Sequence, residues 1–180
     1  MLKNLLTIGT IVAVLSFSAR GHAQALPTAT AHGALQAGVG WTYANSDYTP
    51  QKIQGVTAFA DLDVTQHAGA EVEYHYISYV TPGDLGENSI FVGPRFILPR
   101  NRYKLYAKAL VGTGTIVVQE VADNPEGGAG TYFAYGAGGG IDYQIARHLF
   151  VRGDFEYQHW SYRNGLTPSA ATAAIGYRFR

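Results

Sequence analysis

The sequence predicts an all-β protein, an eight-stranded antiparallel up-and-down transmembrane β-barrel, and three observations carry that expectation. Apolar and polar residues alternate with period two in segments of about 10 residues, the length of a tilted strand that crosses a bilayer. Short connections between segments alternate with long ones. Glycine and charge gather on one parity of the segments, and aliphatic residues on the other.

The N-terminus reads as a secretory signal at 1–25: Lys3 supplies the positive end, 5–17 an apolar stretch, and Ala23-Gln24-Ala25 a small-residue cleavage site. The apolar stretch is shorter than the roughly 20 residues a spanning helix needs, so cleavage after Ala25 is expected, with the barrel at 26–180. Cleavage removes Lys3 and Arg20 and leaves 11 basic against 13 acidic residues, a balance that offers nothing to nucleic acid. No cysteine is present, so disulfides and thiolate metal sites are excluded. The 22 Gly, 13 Tyr and 8 Phe suit strands better than amphipathic helices.

A short lead-in at 26–33 precedes the strands. Segment 34–44 is weakly patterned. In 56–64, Val56, Ala58, Ala60, Leu62 and Val64 oppose Thr57, Asp61 and Asp63, and in 70–76, Val72, Tyr74 and Tyr76 oppose Glu71, Glu73 and His75. Segment 90–98 is weaker and carries Arg95, whereas 103–111 sets Leu105, Ala107, Ala109 and Val111 against Lys104 and Lys108. Segment 131–143, with Asp142, is also weak. The clearest is 149–158, where Leu149, Val151, Phe155 and Tyr157 share one parity and Arg152, Asp154, Glu156 and Gln158 the other; a helix would scatter those charges around its axis. The last segment sets Ala171, Ala173, Ile175, Tyr177 and Phe179 against Thr172, Gly176 and Arg178. Connections 65–67, 99–102 and 144–148 are short, and 45–52, 80–86, 119–130 and 161–167 long, which puts both termini on the periplasmic side.

Alternation alone does not tell a membrane barrel from a soluble exported barrel around an apolar ligand. Glycines such as Gly38, Gly93, Gly138 and Gly176 share the polar parity, where a narrow eight-stranded lumen favours small residues. A Lys or Arg facing lipid at mid-membrane costs about 2–4 kcal/mol, so the charges belong inside. The expected lumenal network is Asp61, Asp63, Glu71, Glu73, His75, Arg95, Lys104, Lys108, Asp142, Arg152, Asp154, Glu156 and Arg178, nearly neutral and filling the centre without a wide pore. This explains the paired carboxylates Glu71/Glu73 and Asp154/Glu156 without catalysis. Trp41, Tyr43, Tyr76, Tyr157 and Phe133 fall at outer strand ends and Tyr103, Tyr143, Tyr177 and Phe179 at inner ends, as two interface bands would. Phe59, Phe91, Tyr106 and Tyr132 carry the inner parity, through either a register slip or a partly aromatic lumen.

With its signal, eight alternating strands and the ending Ala174-Ile175-Gly176-Tyr177-Arg178-Phe179, the chain resembles the outer-membrane β-barrel family that includes outer-membrane protein A-like domains. Tyr157-Gln158 with Trp160 and Asn164-Gly165-Leu166-Thr167-Pro168 resembles the last hairpin of many members. The resemblance implies integral outer-membrane residence in a Gram-negative cell, contact with lipid and an aromatic assembly signal, Tyr177 and Phe179, read by the barrel assembly machinery. Arg180 departs from the usual terminal aromatic, and the peptidoglycan-binding domain of many relatives is not expected. A structural or surface-interaction role as a monomer follows, with no enzyme activity, cofactor or metal: Gly136-Ala137-Gly138-Gly139-Gly140 lacks the Lys-Ser/Thr of a phosphate loop, and the six His are dispersed. The rival is a hydrolase. His159-Trp160-Ser161 is similar to the motif of the outer-membrane lipid A deacylases, but Tyr162 follows the serine and no acid follows Glu156.

Overall fold

Each alternating segment forms a strand because a pleated backbone sends successive side chains to opposite faces, which matches a period of two. A computed structural model describes residues 33–47, 52–77, 85–118, 128–162 and 165–179. The signal at 1–25, the lead-in to residue 32 and Arg180 lie outside the described residues, as do the centres of the connections expected at 45–52, 80–86 and 119–130. The strands are β1 (Ala34–Asn45), β2 (Ile53–Asp63), β3 (Ala68–Ile77), β4 (Leu85–Arg100), β5 (Tyr103–Val118), β6 (Gly128–Gln144), β7 (Leu149–Trp160) and β8 (Ser169–Arg178). Each pairs antiparallel with the next, and β8 returns to β1 through Gln36↔Arg178 to Asn45↔Ser169, closing the barrel and leaving no open edge.

Three strands run longer than their alternation suggests. The β5–β6 ladder extends from Tyr103↔Tyr143 to Val118↔Gly128, so Gly128, Ala129 and Gly130 are strand residues rather than loop. Their small side chains give no period-two signal, but backbone pairing and a 2.9 Å Thr115–Thr131 hydroxyl bond hold them. At 16 or 17 residues, β4, β5 and β6 exceed the 9–11 needed to cross and project past the bilayer on the side of the long connections. Pro94, without an N–H, interrupts the β4–β5 ladder between Val92↔Val111 and Arg95↔Lys108 with no change of register.

Most outward positions are apolar: Leu35, Val39, Val72, Ile90, Val92, Phe96, Val111 and Ile175 are all exposed. Both expected aromatic bands point the same way, with Trp41, Tyr43, Tyr76, Phe133 and Tyr157 at one rim and Tyr103, Tyr143, Tyr177 and Phe179 at the other. Short turns close locally. Thr65 Oγ1 accepts from the amides of His67 and Ala68 at 3.2 and 2.9 Å, and Ile145 and Ala146 both donate to Leu149 O. On the opposite rim Gly165 takes a left-handed φ of 86°, which lets its amide reach Tyr162 O and brings Leu166 back to Trp160.

At that rim Asp47 ties the β1 end to the β7–β8 connection, accepting from Thr167 Oγ1 at 2.5 Å and Thr167 N at 3.0 Å. These bonds, the hydroxyl first, hold the Asp47 carboxyl below the usual aspartate range. A depressed folded value means that the tether contributes above the ordinary value and is lost as pH falls through the folded one. The Thr167 amide resonance should therefore titrate with a midpoint below the ordinary aspartate range, and Asp47→Asn should remove that titration; a midpoint at or above the ordinary range would refute the tether.

Candidate functional site

The functional candidate is the interior, where side chains from all eight strands meet. Strand β7 gives the order of its layers: Phe150, Arg152, Asp154, Glu156, Gln158 and Trp160 follow one another up the inner wall, from the short-turn rim to the long-connection rim.

At the short-turn rim Gln36 donates to Asp63 Oδ2 at 2.8 Å and accepts from Arg178 Nη2 and Nε at 3.2 and 3.3 Å. Lys104 Nζ reaches the same Asp63 oxygen at 2.5 Å. A cavity of about 340 Å³ opens here, bounded by Arg100, Arg102, Lys104, Asp142, Phe150 and Arg178.

The next layer shares three carboxylates between two guanidinium groups. Arg152 grips Asp142 bidentately at 2.6 and 3.0 Å and donates to Asp61 at 2.5 Å and Glu71 at 3.1 Å. Arg95 donates to Asp61 and Asp142 at 2.7 Å each, and its Nε lies 3.3 Å from Glu71. The Tyr106 ring lies 3.8 Å from the Arg95 guanidinium carbon and 4.9 Å from that of Arg152, while Phe59 covers Arg152 at 3.9 Å. The flat fork of arginine suits this double duty, bonding carboxylates in its plane and stacking on rings above it.

Above lies Lys108, whose Nζ is 2.7 Å from Glu71, 2.8 Å from Glu73, 3.1 Å from Asp154 and 2.5 Å from Glu156. Tyr106 donates its hydroxyl to Asp154. His75 Nδ1 lies 2.6 Å from Thr57 Oγ1, and hydroxyl contacts continue from Thr57 to Thr42 and on to Thr172. Trp160 Nε1 donates to Gln158, whose amide donates to Glu156 Oε2. Phe91, Leu110, Ala134 and Trp160 then form an apolar layer across the top, which strengthens every ion pair beneath by excluding water.

All thirteen residues expected in the network face the lumen. Lys104 and Arg178 sit half-buried at the mouth, where Arg178 reaches Asp63 through the Gln36 amide that bonds them both. The aromatic question resolves without a register slip: Phe59, Phe91 and Tyr106 are buried inside, joined by Phe150 and Trp160, and Tyr132 is half-buried against Tyr162 at 4.6 Å. Sequence reasoning missed Gln36, Thr42, Thr57, Thr172 and the donor role of Tyr106. A signal existed: Phe59, Tyr106 and Phe150 each stand directly across from a glycine, at Gly38, Gly140 and Gly176. A Cβ at those glycines would approach the facing ring or hydroxyl to 2.3–2.5 Å, so ring and glycine are mutually required. Among the described residues no hydrogen bond joins His159 to Ser161; His159 lies against the Tyr135 ring at 5.0 Å, and Ser161 is exposed.

An apolar exterior, a charged interior and two aromatic rims reverse the order of a soluble barrel and match a bilayer. Residues 10–179 match the model of the outer membrane protein beta-barrel domain family. The chain belongs to that family. It is a small integral outer-membrane β-barrel with a buried charged network, of the kind found in Gram-negative bacteria. A sequence comparison with curated proteins finds no match. Similar solved structures include Neisserial surface protein A (14% identity, TM-score 0.64, covering 82% of this chain and 97% of that one). Ail of Yersinia pestis, in complex with the heparin analogue sucrose octasulfate, matches at 16% identity and TM-score 0.60, covering 82% of this chain and 99% of that one. OprG of Pseudomonas aeruginosa matches at 11% and 0.62, covering 82% and 96%. At such identities the likeness of this outer-membrane barrel to them concerns the fold.

Proposed function

We propose that this outer-membrane barrel is a closed, non-enzymatic, monomeric scaffold that offers its long connections to partners outside the cell and has no wide pore. The observation that carries the reading is the lumen itself: Arg95, Arg152 and Lys108 tie carboxylates from β2, β3, β6 and β7 together across its full width beneath an apolar layer. An ion would have to displace paired buried charges, each costly to separate. Reconstituted in planar bilayers, the protein should show no steady channel conductance, and regular, long-lived porin-like openings would overturn the closed-scaffold reading.

The hydrolase alternative would need His159 and Ser161 to act as a pair, and among the described residues no hydrogen bond joins them, which favours the scaffold reading. Tyr177 and Phe179, packed edge to face at 5.0 Å on the lipid side of the short-turn rim, are suited to be the aromatic signal for the barrel assembly machinery. Phe179→Ala should lower the amount of heat-modifiable barrel in outer membranes while leaving refolding in detergent unchanged; unchanged membrane levels would remove that role.

A further inference from the structure

The interior is unevenly neutralised. Near the short-turn rim Arg95, Arg152 and Lys104 stand against Asp61, Asp63, Glu71 and Asp142, with Arg178 beside them. Higher up, Glu73, Asp154 and Glu156 have Lys108 as the one permanent cation within ion-pair reach among the described residues, apart from the imidazole of His75. With the three carboxylates ionised and the imidazole neutral, two negative charges would be left over in a site closed from above by Phe91, Leu110, Ala134 and Trp160, where uncompensated charge is costly and must be offset by protons or a cation.

We infer that Glu73, His75 and Glu156 form a buried site for a divalent transition-metal cation of the zinc class. The three side chains are 3%, 1% and 1% exposed and come from opposite walls, β3 and β7, with one donor atom each inside a 4.8 Å cluster. His75 Nε2 lies 3.6 Å from Glu73 Oε1 and 3.5 Å from Glu156 Oε2, too long for good hydrogen bonds, and both Nε2 and Glu73 Oε1 are buried with no hydrogen-bond partner. A tetrahedral zinc with bonds of about 2.0–2.2 Å separates its ligand atoms by about 3.3–3.6 Å, so these gaps match a shared cation better than a direct contact.

The remaining atoms of the three side chains are already held. Lys108 occupies the opposite oxygen of each carboxylate, Glu73 Oε2 and Glu156 Oε1, and leaves the facing oxygens to the site. Gln158 donates at 3.1 Å to Glu156 Oε2 itself, so the oxygen turned toward the site is oriented by an amide and still has a lone pair to offer. His75 Nδ1 can donate to Thr57, Thr57 to Thr42 and Thr42 to Thr172, a direction of the hydroxyl chain that leaves the Nε2 lone pair free. Imidazole with two carboxylates and no thiolate selects an ion of intermediate hardness, and a dication cancels the leftover charge.

The test is to unfold the purified barrel with a chelator, refold it in detergent with Zn²⁺, remove free metal and measure zinc by elemental mass spectrometry. About one zinc per folded barrel is expected, with affinity at least tenfold lower in His75→Gln and Glu156→Gln variants that still shift on heating in a gel. Fewer than about 0.1 zinc per folded barrel, or undiminished zinc in folded His75→Gln, would show that protons and not a metal balance the site. Refolding the unaltered protein with Co²⁺ needs no variant. Intense visible bands of a four- or five-coordinate ion support the site, and the faint spectrum of hydrated Co²⁺ overturns it.

Discussion

Arg152→Met should lower the unfolding free energy of the inserted barrel by about 3–5 kcal/mol, the range for removing one partner from a buried ion cluster. The cost has a specific origin. Methionine keeps much of the volume packed against Phe59 and Phe150, so the change isolates charge and hydrogen bonding from cavity formation. It leaves Asp61, Glu71 and Asp142 with Arg95, and with Lys108 at Glu71 alone, after the loss of bonds at 2.5, 3.1 and 2.6 Å. Arg152→Lys restores the charge without the planar fork and should recover only part of the loss. Asp142→Asn in the Arg152→Met background should be less harmful than the sum of the two single changes, because the carboxylate it neutralises has already lost its bidentate partner. Urea unfolding in lipid vesicles, followed by heat modifiability on gels, measures the three single variants, the double variant and the unaltered protein. A loss below about 1 kcal/mol for Arg152→Met would mean that the cluster is incidental to stability.

Alternation in the sequence determines which way a side chain points, and here it places every charge of the network on the inner wall. It does not set height along the barrel axis. Height depends on register, which fixes that Arg152 lies across from Asp142 and that Glu156 lies across from Gly138. Nor does it set what meets across the lumen: Glu73 and His75 on β3 face Glu156 on β7, more than 80 residues away, only because the barrel closes. The extra lengths of β5 and β6 were illegible for a different reason, since Gly128-Ala129-Gly130 are turn-forming residues held by a ladder that other residues begin. The aromatic lumen was half legible. Phe59, Tyr106 and Phe150 share the parity of the glycines, but that each occupies the space of one particular glycine appears only with the pairing of the strands.

Val72→Arg should destabilise the barrel by about 2–4 kcal/mol, the cost of a cation on the lipid face near the midplane. Val72 lies midway along β3, between Ala60 of β2 and Val92 of β4, and points outward with 46% of its surface exposed. In a soluble barrel an exposed valine exchanged for arginine would change stability by about 0.5 kcal/mol or less, so the sign and size of the effect report what surrounds the outer wall. Val64 supplies the depth control. It is 59% exposed in the short turn after β2, where an arginine reaches headgroups and water and should cost about 0–1 kcal/mol. The two variants lose the same side chain and gain the same charge, so the difference between their unfolding free energies in vesicles isolates depth in the membrane. Neither touches the lumen, since both side chains point away from it. Equal costs at the two positions would require that no bilayer gradient lies between the β2–β3 turn and the middle of β3, and with it the placement of the apolar wall in lipid would fail.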